Sequence, residues 1–210
     1  MGKYNSLTII IIAITFLIGI FSYSYLPAEL ASHWNAQGEV NGYMTKFWGV
    51  FLLPIIMLGI FLLFFFIPKI DPLKENYKKF RRYYDSFVLV IILFMFYTYL
   101  ITLLWNLGIK INMSLALIPA LGFLFIYLGI ILKNVKRNWF IGIRTPWTIS
   151  SDRVWKKTHE LGSKLFIISG VITLAGIFFP QYILWFVIIP VLVSVIISTV
   201  YSYLEYRKKS

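Results

Sequence analysis

Cysteine is absent, so neither a disulfide nor a thiolate metal site is available, and the redox compartment is left open. Charge is scarce as well. Only 13% of the 210 residues are Asp, Glu, Lys or Arg, against about 25% in soluble domains. With 60% of residues hydrophobic, this excludes an ordinary water-soluble domain, which must wrap its core in polar surface. The excess apolar surface has to face lipid. Histidine occurs only at His33 and His159, a poor supply for a catalytic zinc, which wants three protein ligands and an open position. No ionisable residue falls near the middle of any long apolar run. Proton- and ion-coupled transporters place such groups at membrane depth, so that class is disfavoured. The polar residues found there, among them Thr98, Thr102, Ser169, Thr173, Ser194 and Ser198, are hydroxyls of the kind that pack membrane helices together.

The charge that is present has one dominant sign, +12. In a soluble protein this would suggest nucleic acid. Here placement decides otherwise. Every Lys and Arg except Lys46 and Lys110 falls in segments that a six-span topology puts on one side. That asymmetry is the positive-inside pattern. Direct nucleic-acid binding is therefore not expected, and the lipid bilayer is the expected surrounding.

Six apolar runs are long enough to cross: Leu7 to Leu26, Phe47 to Ile67, Ser86 to Trp105, Met113 to Leu132, Leu165 to Phe179 and Ile183 to Leu204. The first competes with a signal peptide, but it is too long and ends in aromatic SYSY rather than a small-residue cleavage site. The expected fold is all-α: a polytopic cell-membrane protein with six transmembrane helices and both termini cytoplasmic. Residues 1–106 make an N-terminal membrane region with an outside loop at 27–46 and a basic inside loop at 68–85. Residues 107–210 make a second region whose inside loop spans 133–164.

The outside loop carries Glu29, Glu39 and Lys46. Pro27 suits the first turn of a short helix reaching Trp34, with turns at Gly38, Asn41 and Gly42. On such a helix Glu29 and His33 share a face, which makes a weak metal site conceivable. The preferred reading is that His33, Trp34 and Tyr43 anchor the loop at the lipid–water interface. The first basic loop reads as a short surface helix with Tyr77, Phe80, Tyr83 and Tyr84 toward lipid. Pro54, Pro119 and Pro190 fall in alternate spans. Their spacing marks either moving elements or, as preferred here, the ordinary frequency of proline in membrane helices.

The longest polar passage, Asn138 to Phe166, holds three of the seven tryptophans. Gly142 and Pro146 prevent its first part from being one helix, and Thr145, preceding a proline, is expected extended. Arg144 is left as a fixed guanidinium for a lipid phosphate, a helix end or a carboxylate. Ser150 or Ser151 is a good N-cap with Asp152 in the first turn. An amphipathic interfacial helix follows, before the fifth span. Val154, Trp155, Thr158, Leu161 and Leu165 lie on one side, and Arg153, Lys156, Lys157, Glu160 and Lys164 on the other. His159, four residues after Trp155, is placed to stack on it. Gly162 permits a close helix approach or a hinge. No nucleophile, base and oxyanion site come together, so no catalytic residue, cofactor or resident metal is expected and the chain does not read as an enzyme.

Two stretches resemble the SdpI family. LPAELASHWNAQGEVNGYMTK is similar to the domain of unknown function that commonly begins its members, through Leu26, Pro27, His33, Trp34, Asn35, Gly38, Gly42, Tyr43 and Lys46. NWFIGIRTPWTISSDRVWKKTHELGSKLF resembles the family signature through Asn138, Gly142, Arg144, Thr145, Pro146, Trp147, Trp155, Thr158, His159 and Gly162. The resemblance implies an integral membrane immunity protein that protects against a secreted toxic peptide and signals by holding a repressor at the membrane. His33, Trp34, Asn35, Asn138, Arg144, Thr145, Pro146, Trp147, Trp155 and His159 are then the ligand- or partner-binding candidates. Arg153, Lys156 and Lys157 are the candidates for docking the repressor. The rival function is a small-molecule or lipid-handling channel or transporter, which would show a polar pocket at the membrane midplane.

Overall fold

The computed structural model describes residues 3–208; the chain ends, including Lys209 and Ser210 of the basic tail, lie outside the described residues. Six helices are long and apolar enough to cross a bilayer. They are α1 (Lys3–Ser22), α2 (Lys46–Ile70), α3 (Glu75–Asn106), α4 (Met113–Leu132), α6 (Asp152–Ala175) and α7 (Ile183–Arg207), with the one-turn α5 (Pro146–Ser150) before α6. Polarity is inverted relative to a water-soluble bundle. Phe123 is 64% and Ile196 60% exposed, while Thr173 and Ser198 are at most 1% exposed. In lipid this arrangement turns these hydroxyls inward and large apolar side chains outward. α1, α2 and α3 pack together, as do α4, α6 and α7, and α3 against α4 joins the two groups.

The departure from an all-helical chain is the segment after α1. Instead of the short helix expected from Pro27, Glu29–Trp34 (β1) pairs antiparallel with Val40–Thr45 (β2). The local preference loses to pairing. β2 carries Val, Tyr and Thr, which suit a pleated surface, and Gly38 at φ +83° turns the chain back. Asn35 holds the turn, its Oδ1 accepting from the N–H groups of Gln37 and Glu39 at 3.0 and 2.9 Å. A lone hairpin is marginal, so it leans on the helices. Leu30 packs with Val50, Tyr99 and Leu103. The Asn106 side-chain amide closes the free edge of β1, accepting from Ala31 N at 2.8 Å and donating to Ala31 O at 3.0 Å.

At the opposite, basic end, α3 starts at Glu75 and kinks at Phe80 (φ −134°, ψ 23°) before continuing as a span. Tyr77, Phe80 and Tyr84 do not face lipid as expected. They are 2–3% exposed and join Ile67, Val88, Ile131, Val135, Ile141 and Trp155 in the main core; Tyr83 alone of the four is exposed. Helical periodicity set them on one face, and that face meets the second half of the protein.

Four prolines lie inside helices, at Pro54, Pro68, Pro119 and Pro190. A proline cannot donate to the carbonyl four residues earlier. At two of them a neighbouring helix supplies the missing donor. The Tyr84 hydroxyl donates to Phe64 O, freed by Pro68, and Thr173 Oγ1 donates to Phe186 O, freed by Pro190, at 3.2 Å. Tyr84→Phe leaves the first carbonyl unsatisfied and is expected to cost about 1–2 kcal/mol. The thermal-unfolding midpoint in detergent micelles checks this, and an unchanged midpoint would show that the carbonyl is satisfied without Tyr84.

Candidate functional site

The polar passage beginning at Lys133 folds into a compact knot on α6. Asn138 is fully buried and serves as its hub. Its Oδ1 accepts from the N–H groups of Phe140 and Ile141 at 2.9 and 2.6 Å, and its Nδ2 donates to Lys136 O and Ile141 O at 2.8 and 2.9 Å. Asp71, 2% exposed, ties the first basic loop to this knot. It accepts from Leu73 N at 2.6 Å, from the Tyr77 hydroxyl at 2.9 Å and from Trp139 N at 2.9 Å. Asn76 Nδ2 adds a bond to Arg137 O at 2.8 Å. Three donors compensate the burial of the carboxylate, which would otherwise be costly.

Gly142 adopts φ +112°, which lets the chain pass directly over the Trp155–His159 pair. The stack expected from their spacing is present, with ring centroids 4.1 Å apart and planes at 19°. Trp155 Nε1 donates to Val135 O at 2.8 Å. His159 Nδ1 lies 2.8 Å from Trp155 O, and its Nε2 accepts from Ile143 N at 3.1 Å. A carbonyl on one nitrogen and an N–H on the other fix the neutral Nδ1–H tautomer. Thr145 is extended as expected and forms a capping box with Thr148, while its Oγ1 lies 3.0 Å from Ser202 Oγ on α7. Ser151 caps α6. No break separates the amphipathic turns from the fifth span: the interfacial helix expected as a separate element is the first half of α6. Gly162 is a close-approach position, meeting Ile143 and Leu132.

Asn138, Thr145, Trp155 and His159 are thus buried and bonded within the protein. Pro146 begins α5 and is exposed. Trp147 packs on Tyr203 with ring centroids 5.0 Å apart. Arg144 is exposed, with Nη1 donating to Trp139 O at 2.6 Å. Of the three basic residues proposed for docking, Arg153 is committed to α7: Nη1 pairs with Glu205 Oε1 and Nη2 donates to Glu205 O at 2.6 Å. Lys156 and Lys157 are exposed.

At the hairpin end a cavity of about 570 Å³ opens between β1, α3, α4 and α7. His33, Trp34 and Asn35 line it, opposite Thr98 and Thr102 of α3, Ser114 and Leu117 of α4, and Ile183 and Val187 of α7. The size is that of a small-ligand site, with apolar walls and a few hydroxyls. Trp34 is held edge-on to Trp105, ring centroids 5.6 Å apart, and His33 Nδ1 lies 2.9 Å from Ser32 Oγ. Among the described residues, no three His, Asp or Glu side chains gather as a metal ion would need. The two groups of candidates sit at opposite ends of the bundle.

Sequence reasoning passed over Asp71, Thr148 and Glu205, and set Tyr77 toward lipid. Thr145 and Thr148 carried a readable signal, since a hydroxyl pair three apart before a helix is the capping-box spacing. Glu205 was the lone acid between the last apolar run, which ends at Leu204, and the basic tail. Asp71 was one acid in a basic loop, and nothing local pointed to its partner 68 residues away.

Compared with known proteins, residues 134–202 match the SdpI/YfhL protein family and residues 10–58 match a domain of unknown function, DUF1648. The immunity protein SdpI of Bacillus subtilis (strain 168) is 32% identical over 207 residues, covering 98% of this chain and 97% of that protein. No solved structure matches.

Proposed function

The chain belongs to the SdpI/YfhL family, and from that membership we propose that it is a multi-pass membrane immunity protein protecting its cell from a secreted toxic peptide. The observation that carries the reading is similarity to an immunity protein along nearly the whole length of both chains. The positive-inside rule puts the hairpin end outside, where a secreted peptide arrives. The cavity under β1 offers apolar walls for bulky side chains and hydroxyls for main-chain groups. It is built from both halves, so filling it biases how α3 and α7 sit around α4. The signalling part of the reading places a repressor at the basic end. There Lys156, which shares a 4.0 Å pair with Glu160, and Lys157 are exposed and would attract it, whereas Arg153 holds α7.

The cavity makes the reading testable. Sensitive cells expressing the chain are challenged with the toxin to which the Bacillus subtilis immunity protein gives immunity. Survival is expected with the unaltered chain. Thr102→Trp, which fills the cavity, is expected to lower survival at least about tenfold at an unchanged membrane level, the loss of about 1.4 kcal/mol of binding. Full protection by Thr102→Trp would remove the cavity from the reading. Failure of the unaltered chain to protect would remove the immunity reading itself.

A further inference from the structure

Between the end of α2 and the start of α3 lies an open notch of about 720 Å³, lined by Pro68, Lys69, Lys74, Tyr77, Lys78 and Arg81 together with Glu75 and Asp85. It falls outside residues 10–58 and 134–202, the parts matched by family. Its four cations exceed its two acids by two, and the pairing inside it is definite. Lys78 takes Glu75 at 2.6 Å and Arg81 takes Asp85 at 2.9 Å. Nearby Asp71 is buried and occupied by its three donors. Lys69 and Lys74 have no salt-bridge partner among the described residues. Lys69 is also held in place, its ammonium 4.3 Å from the Phe65 ring centroid and 5.0 Å from that of Phe66, so little side-chain freedom is lost when an anion arrives.

The surroundings say which anion. Phe66 and Ile70, beside Lys69, are 49% and 63% exposed, on a helix apolar enough to cross a bilayer. Two unpaired ammonium groups next to bare aromatic and aliphatic surface match a molecule with a phosphate at one end and hydrocarbon at the other. Basic pockets between membrane helices at the headgroup level bind anionic lipids in this way. Lys156 and Lys157, though also exposed, do not line this notch. We infer that Lys69 and Lys74 hold the headgroup phosphate of an anionic phospholipid whose chains lie along Phe66 and Ile70, a built lipid site at the junction of the first two basic-end helices.

The test uses the full chain purified in detergent, with native mass spectrometry counting retained lipid and thermal unfolding read in parallel. Dioleoyl phosphatidylglycerol is expected to bind and raise the midpoint, and dioleoyl phosphatidylcholine to do neither. Lys69→Ala with Lys74→Ala is expected to weaken phosphatidylglycerol binding roughly thirtyfold, about fivefold for each lysine. Lys156→Ala with Lys157→Ala removes the same net charge and is expected to leave binding unchanged. Equal loss in both double variants would overturn the site in favour of diffuse attraction. Binding of soluble glycerol phosphate as tightly as the lipid would overturn it in favour of a free-anion site.

Discussion

Gly142→Ala is expected to cost about 2–6 kcal/mol, a large share of the roughly 5–15 kcal/mol that holds a typical protein folded. Two effects add. At φ +112° a residue with a Cβ is strained by about 1–3 kcal/mol. The new methyl would also sit inside contact distance of His159 Nε2, with Trp155 Cζ2 3.2 Å away. Moving the imidazole aside strips the part-buried Ile143 N–H of its acceptor, worth about another 1–3 kcal/mol. Unfolding midpoints of the purified protein measure the sum, and a double-variant cycle separates the parts. His159→Ala removes the obstruction but not the backbone strain, so Gly142→Ala with His159→Ala is expected to lose less than the two single changes added together. Strict additivity would show that Gly142 and His159 act independently.

How much of this was readable in the chain follows from what each residue answers to. The six spans were legible because lipid imposes a long uncharged stretch on any helix that crosses it. Their sequence limits fall within a few residues of the helices, apart from the third and the fifth, whose helices α3 and α6 begin at Glu75 and Asp152. The Ser151 cap, the extended Thr145 and the Trp155–His159 stack were legible because each depends on neighbours within four residues. The hairpin was not, since β1 is decided by β2 and by Asn106, 75 residues from Ala31. Tyr77, Phe80 and Tyr84 were assigned a shared face correctly and the wrong neighbour, because periodicity does not say whether lipid or protein covers an aromatic stripe. Asp71 and Asn138 were opaque for the same reason: their bonds join two loops with two spans between them. The cavity at the hairpin end needs three helices and a strand together, and only its His33–Asn35 edge was visible beforehand.

Gly170→Ala is expected to destabilise the protein by about 1–3 kcal/mol, with Gly170→Leu costing more, whereas the identical change Gly59→Ala is expected to be neutral or stabilising by up to about 1 kcal/mol. In isolation alanine favours a helix over glycine at both positions, so the opposite signs must come from packing. α4 and α6 form the most extensive helix–helix contact in the molecule, and glycines bring them backbone to backbone. A Cβ on Gly170 would lie 2.5 Å from Gly122 O and 2.8 Å from Ile126 N; one on Gly129, seven residues along α4, would lie 2.7 Å from Ser163 O. These neighbours are main chain and cannot rotate away. Nothing lies within 4 Å of a Cβ built on Gly59. Within a bilayer the tails are as apolar as leucine, so helices associate through close packing and hydrogen bonds rather than by escape from water. A separation of 0.5–1 Å already forfeits a quarter to a half of each dispersion contact. The displacement also spreads, because α6 carries the Ser169–Ser194 and Thr173–Phe186 bonds that hold α7. Unfolding midpoints of Gly59→Ala and Gly170→Ala, measured side by side, should therefore move in opposite directions or leave Gly59→Ala unmoved while Gly170→Ala falls. Equal shifts of one sign would mean that helix propensity, and not the approach of α4 to α6, governs this bundle.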